Sequence, residues 1–256
     1  MPDDVTAFYD EFTTRTMARY RIVGNARLEA AIELILPYVR PGATVADIGC
    51  GIGIVAQAIA RHERSATVIG LDLSSNNIRY ARETVREPNA RFIASSVTDQ
   101  FDALAHASKV PIDVVCVIDV IEHIPESQRA RVFVDLAQIA ADDAKLIITY
   151  PSPEFQRHRT EHDPSVLQII DNVIEFDDLY SELRAAGWHL ESMRYRGIWF
   201  ENEYVHLVMR RERPARFGRI APHPLRAIPR RLKHKVLRPF RRWKYERVAA
   251  GVRAGD

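Results

Sequence analysis

Three groups of residues in this chain have the types and spacing to do chemistry. The first is Asp47-x-Gly49-Cys50-Gly51-x-Gly53, a glycine-rich turn directly after the apolar run Thr44–Ile48, with Asp72 nineteen residues beyond its last glycine. Glycines at that spacing let a backbone turn tightly and approach a ligand closely. The helix that begins after them offers unpaired N–H groups. A dinucleotide fingerprint runs G-x-G-x-x-G and has no acid two residues upstream. Asp47 would repel a pyrophosphate but would tolerate a ligand carrying an ammonium and a sulfonium. Asp72 ends the next apolar run, where an acid can accept hydrogen bonds from both hydroxyls of a ribose. It can equally be a helix-start acid favoured by the helix dipole.

The second group is Asp119-Val120-Ile121-Glu122-His123, after the apolar run Ile112–Ile118. An imidazole with an unperturbed pKa of about 6.5 suits a general base at neutral pH. His123 is the first candidate for that base, with Glu122 orienting it, and the alternative is a histidine that caps its loop. The third group is Glu154, His158, Glu161, His162 and Asp163. His158 and His162 share a face if that stretch is helical, and they rival His123 as catalytic residues. Acids and imidazoles together can hold a divalent metal or several sugar hydroxyls, or can form a solvated polar loop. No residue is assigned to a metal, and a divalent metal is possible but not favoured.

These groups need a scaffold that brings strand ends together. Strands are expected over 44–48, 67–71, 91–95, 112–118 and 145–150, with helices over 53–62, 75–86 and 127–140. Strands alternating with helical crossovers give a parallel sheet covered on both faces. Residues 20–39 have helical periodicity up to Pro41-Gly42. After Tyr150 the stretch Pro151–Ser165 reads as a loop or short insertion. A helix over 176–186 and two strands near 189–195 and 203–209 complete an antiparallel hairpin. The expected division is a catalytic domain over 1–209, with a helical segment 1–40 and an acceptor-side insertion 151–174, and a C-terminal extension over 210–256.

The segments VADIGCGIG (45–53), GLDLS (70–74), RFIASSVTD (91–99) and DVVCVIDVIEHIPE (113–126) resemble, in order and spacing, the class I S-adenosylmethionine (SAM)-dependent methyltransferases. The resemblance covers about residues 40–150. It implies an α/β, Rossmann-like seven-stranded sheet, mostly parallel with an antiparallel C-terminal hairpin, and helices on both faces. It implies SAM as cofactor and S-adenosylhomocysteine as product. It implies that Asp47 and the loop Gly49, Cys50, Gly51 and Gly53 face the amino-acid part of SAM. Asp72 and Leu73 would hold ribose and adenine, Ser96 and Val97 would flank the adenine, and Asp119 and Val120 would lie beside the methionine part. Many members carry an acid where this chain has Ser96.

The D-x-x-E-H element is similar to one in small-RNA 2′-O-methyltransferases, and E-H-I-P to one in quinone-biosynthesis O-methyltransferases. Residues 149–209, with TYPSPEF and GIWFENEYVH, look more like bacterial glycan-associated methyltransferases. The expected activity is therefore O-methylation of a sugar or glycan hydroxyl. Quinone or small-molecule O-methylation, RNA 2′-O-methylation and a non-catalytic SAM-binding subunit are the alternatives. Trp199, Phe200 and Tyr204 can stack on a sugar ring or simply pack the hairpin.

Composition is that of an ordinary globular protein, with 46% hydrophobic and 27% charged residues. The two cysteines and the polar, acidic first residues point to a reducing cytoplasm. The formal charge of +2 hides a division. Residues 210–256 carry 16 Lys+Arg against 3 Asp+Glu, a net of +13, so residues 1–209 carry −11. Leu225, Ile228, Leu232, Val236, Phe240 and Trp243 recur among the basic residues at intervals of three or four. Such a stretch can dock on the acidic body or on a second subunit, with a homodimer possible. It can also bind an anionic membrane at the inner surface or, less favoured, nucleic acid.

Overall fold

The computed structural model describes residues 18–96, 101–108, 110–164 and 167–211. The chain divides into two units, Met1–Arg213 and Pro214–Asp256. The basic extension lies outside the described residues beyond Arg211, as does Val97. Strands β1 (Thr44–Ile48), β2 (Thr67–Asp72), β3 (Ala90–Ala94), β4 (Ile112–Ile118), β5 (Ala140–Pro151), β6 (Trp188–Arg196) and β7 (Tyr204–Arg211) form one sheet in the order β3-β2-β1-β4-β5-β7-β6. Strands β1 to β5 pair in parallel. Strand β7 inserts antiparallel between β5 and β6. This is the Rossmann-like methyltransferase sheet expected from the sequence.

Helices α1 (Ala18–Val23), α2 (Ala26–Ile35), α3 (Ile54–His62), α4 (Ser75–Thr84), α5 (Phe101–Ser108), α6 (Glu126–Ile139), α7 (Pro153–His162) and α8 (Phe176–Ala185) cover the two faces. The central strands are apolar on both sides, so each face has its own core. Val45, Val68, Val114 and Ile147 pack beneath α2, α3 and α4. Ile48, Val115, Leu146 and Trp188 pack beneath α6 and α8. The Trp188 indole N–H donates to the Phe133 carbonyl at 3.2 Å, so burying that ring strands no donor.

The periodic stretch 20–39 is two helices rather than one. Gly24 sits at φ +80°, closing α1, and the Asn25 side chain accepts from the N–H groups of Arg27 and Leu28 to start α2. The stretch after Tyr150 is not a loop. Ser152 caps α7 by accepting from the Phe155 N–H at 3.2 Å, and Pro153 occupies the first turn, where its missing N–H costs nothing. Among the described residues no helix is long and apolar enough to cross a membrane.

Candidate functional site

Strand order reverses at β1, which has β2 on one side and β4 on the other. In open α/β sheets the loops leaving the strands diverge at such a reversal, and ligands bind in the crevice at the carboxyl ends of the strands. The β1 loop is held by acids on either side of it. Asp47 is buried, and its Oδ2 accepts the Ala56 N–H of α3 at 3.1 Å. Burial pushes its carboxyl up to about 7, against the pull of that N–H. Asp72 reaches across from β2. Its Oδ2 accepts the Gly51 N–H at 2.8 Å, and its Oδ1 accepts from Ser74 N at 2.9 Å and Asn77 Nδ2 at 3.0 Å.

Gly49, Gly51 and Gly53 all have positive φ, at +67°, +53° and +77°. A Cβ on Gly49 would lie 2.3 Å from Val120 Cγ2. The loop is therefore a bare-backbone cradle with acids beside it. Asp47 is a buried strut between the end of β1 and the first turn of α3. The expectation for the Cys50 side chain is corrected. Its N–H donates to Leu71 O at 2.9 Å, and its side chain is buried in the core beneath the loop, with Sγ 2.8 Å from where a Cβ on Gly70 would lie.

An arginine from each N-terminal helix reaches this crevice, and the sequence reading named neither. From α1, Arg21 donates to Ile52 O and to Gln57 Oε1, each at 2.6 Å, so it clamps the glycine loop. From α2, Arg27 pairs with Asp119 Oδ2 at 2.7 Å and donates to the Tyr204 hydroxyl at 3.2 Å. Asp119 also accepts from Thr149 Oγ1 at 2.7 Å. It sits at φ +55°, which is costly for a residue with a Cβ, and these two partners hold it there. Replacing Arg27 by Met would leave a nearly buried carboxylate with the threonine alone. Arg27 keeps about a quarter of its side chain exposed, so the expected loss is about 2 kcal/mol rather than the full cost of a broken interior pair. Urea unfolding would measure it, and Asp119→Asn in the Arg27→Met background should recover part of the loss.

Glu122 and His123 lie in the single 3-10 turn Ile121–His123 that follows β4. The Nδ1–H of His123 donates to the Ile170 carbonyl at 2.6 Å, which fixes the tautomer and leaves Nε2 as the basic nitrogen. Burial holds its pKa below the usual histidine value. The turn itself is gripped by Asn172, whose backbone N–H donates to Glu122 O at 2.8 Å. The Asn172 side chain donates to Glu122 O and Ile124 O at 3.1 and 3.0 Å. The expected role of Glu122 is corrected here. Its Oε1 is 3.9 Å from His123 Nε2, too far for a hydrogen bond, and the Ile170 carbonyl orients the ring instead. Burial and the nearby Asp119 raise the Glu122 carboxyl well above its usual range. Its Oε2 is buried with no hydrogen-bond partner among the described residues.

The remaining candidates separate. Leu73 is half-buried beside Asp72, and Ser96 follows the end of β3. His158 and His162 stack on α7, with ring centroids 4.3 Å apart. Both are exposed, and His162 Nδ1 donates to its own helix at His158 O. They do not join His123. Nor, among the described residues, do three or more His, Cys, Asp or Glu side chains converge as a metal site.

The crevice fits SAM on the structure's own terms. The cradle admits no side chain at Gly49, and the acids Asp47 and Asp72 flank it without an exposed phosphate-binding cation on the loop. A family model described as a methyltransferase domain matches residues 17–203. The chain is 36% identical over 88 residues to a ubiquinone biosynthesis O-methyltransferase of Paracidovorax citrulli, covering 33% of this chain and 34% of that one. It is 32% identical over 109 residues to the protein of the same name in Hahella chejuensis, covering 43% of each. These matches thus span a third to under a half of the relatives' length. Two solved structures share the fold. Magnesium protoporphyrin IX methyltransferase of Synechocystis with bound S-adenosylhomocysteine has a TM-score of 0.62 at 17% identity, covering 81% of this chain and 99% of that one. The N-methyltransferase NodS of Bradyrhizobium japonicum, in complex with the same product, has a TM-score of 0.63 at 12% identity, covering 82% and 100%. With the cradle, the sheet order and the family match in agreement, the chain belongs to the methyltransferase-domain family, as a class I SAM-dependent enzyme.

Proposed function

We propose that this enzyme methylates a hydroxyl of a phenolic, quinol-type small molecule, with His123 as the general base. The observation that carries the reading is the Nδ1–H bond of His123 to Ile170 O, which leaves Nε2 as the basic nitrogen of a ring placed in the turn directly after β4. The glycine loop with Asp47 and Asp72 would hold SAM, and Arg27, Asp119 and Val120 would bound its amino-acid end. SAM supplies a methyl carbon on a sulfonium, open to in-line displacement. With SAM bound, His123 Nε2 would take the hydroxyl proton as the acceptor oxygen bonds to that carbon, and the departing sulfur would keep the electron pair of the broken bond. A phenol, being more acidic than a sugar hydroxyl, asks less of such a base.

The quinol class draws support from the named relatives, and Phe155 and Tyr204 add aromatic surface near Arg27. The glycan acceptor expected from residues 149–209 has no counterpart among those relatives. A direct test incubates the enzyme with SAM and two acceptor panels, prenylated catechols and hydroquinones in one, sugar nucleotides and oligosaccharides in the other. Methyl ethers of the phenols are expected by mass spectrometry. Methylation confined to the sugars would restore the glycan reading.

The pH profile checks the base independently. An imidazole must be neutral to accept the proton, so activity is lost as pH falls through its pKa. Because burial lowers that pKa, the acid limb of kcat/KM should lie below 6.5. A limb near or above 7 would assign the base to another group.

A further inference from the structure

The turn joining β6 to β7 holds two aromatic side chains out in solvent. Trp199 and Phe200 are 60% and 62% exposed, although each would gain by burial. Their display is built rather than accidental. Glu203 is buried, and its Oε2 accepts the backbone N–H of Trp199 at 2.8 Å and of Phe200 at 3.2 Å. The Glu203 carbonyl accepts Ser152 N–H at 2.8 Å, which ties the turn to the end of β5. A Cβ on Gly197 would lie 2.8 Å from the Phe200 carbonyl, so the turn also closes too tightly for a side chain there. A buried carboxylate thus fixes the backbone that carries two exposed rings.

The tip is at the crevice end of the sheet. Tyr204, the first residue of β7, pairs with Pro151, the last of β5. The Phe200 ring packs on Phe155 at 5.7 Å, and Phe155 on Tyr204 at 6.2 Å. Tyr204 meets Arg27, the partner of Asp119. An aromatic path therefore runs from the exposed tip to the crevice. The charge around the tip is mixed: Arg194 is exposed on the edge strand and Arg196 pairs with Glu33 at 3.4 Å, while Glu191 on the same strand and Glu201 at the tip are also exposed, so the tip itself contributes rings rather than net charge. By sequence alone, residues 210–256 carry a net charge of +13 against −11 for the rest of the chain, with apolar and aromatic residues among the arginines and lysines.

We propose that the Trp199–Phe200 tip is a membrane-interface anchor, and that the enzyme docks on an anionic phospholipid surface with the basic extension supplying the electrostatic attraction. Trp and Phe at a rigid tip suit the interface, where an aromatic ring leaves water without entering the hydrocarbon core. Each Lys or Arg near an anionic leaflet adds attraction that salt removes. Docking this way would turn the crevice mouth toward the bilayer. The proposal does not depend on which acceptor is methylated.

The test is co-sedimentation of the full chain with vesicles of phosphatidylglycerol and phosphatidylcholine, and with phosphatidylcholine alone. Binding to the anionic vesicles alone, lost at high salt, is expected. The Trp199→Ser/Phe200→Ser double variant should bind them about tenfold more weakly or worse. The full-length Arg230→Glu/Arg231→Glu/Lys233→Glu/Lys235→Glu variant should lose most binding. Unchanged SAM affinity, by calorimetry, shows that each variant is folded. Equal vesicle binding by the double variant and the parent would overturn the anchor. So would a parent that sediments alone as a dimer and a double variant that sediments as a monomer, because the tip would then be a subunit interface.

Discussion

His123→Ala should lower kcat by a factor of about 10² to 10⁴ while leaving SAM affinity within a few-fold. The effect is confined to turnover because the ring is held by Ile170 O, in the segment after α7, and not by the glycine loop. A loop-capping histidine would give a different result, with lost stability and little loss in kcat beyond it. Asn172→Ala supplies the matching control for position. Asn172 holds the backbone of the turn that carries His123, through Glu122 O and Ile124 O. Its loss should lower kcat less than His123→Ala and leave the pKa-dependent limb in place, since the imidazole remains. If His123→Ala turns over at the parent rate, the base lies elsewhere. If the parent methylates neither acceptor panel, the acceptor belongs to another chemical class and the quinol reading falls.

Much of this was legible in the sequence, for reasons that also explain what was not. Buried parallel strands are continuous apolar runs, so β1 and β4 fall at 44–48 and 112–118 as expected. Strand β5 begins at Ala140, five residues early, because Ala-Ala-Asp-Asp has the polarity of a turn while its backbone still pairs with β4 at Ile112. Pro153 reads as a breaker by type, and only the Ser152 cap makes it a helix start. Helix α5 goes unread, since eight residues between 101 and 108 give a weak period. The glycine cradle was visible because its chemistry is local. Arg21, Arg27, Ile170 and Asn172 were not, because their roles arise from partners 31 to 92 positions away. Nothing in the local pattern separates Arg27 from the many arginines of the surface. The one signal was Asn25, whose cap sets the rotation of α2 and so aims Arg27 at β4.

Gly49→Ala should weaken SAM binding by about a hundredfold or more, equivalent to about 2.7 kcal/mol. Two separate costs meet at this position. A side chain at φ +67° is strained by about 1–2 kcal/mol wherever it occurs. The new Cβ would also lie 2.3 Å from Val120 Cγ2, a separation that no packing tolerates. Val120 adjoins Asp119, which is itself held at positive φ by Arg27 and Thr149, so relief by moving Val120 disturbs the ion pair at the crevice wall. Relief by moving the loop disturbs the Gly51 N–H bond to Asp72. Either movement reaches the cofactor cradle. Gly42→Ala isolates the first cost, because Gly42 has φ +76° and nothing within 4 Å of its Cβ position. It should lower stability by about 1 kcal/mol and leave SAM affinity alone. Gly49→Ala/Val120→Ala removes the clash and keeps the strain, and should recover most of the affinity. Calorimetric titration of the three variants with SAM separates the terms. Full affinity in Gly49→Ala alone would mean that the close approach of the β1 and β4 loops does not shape the cofactor site.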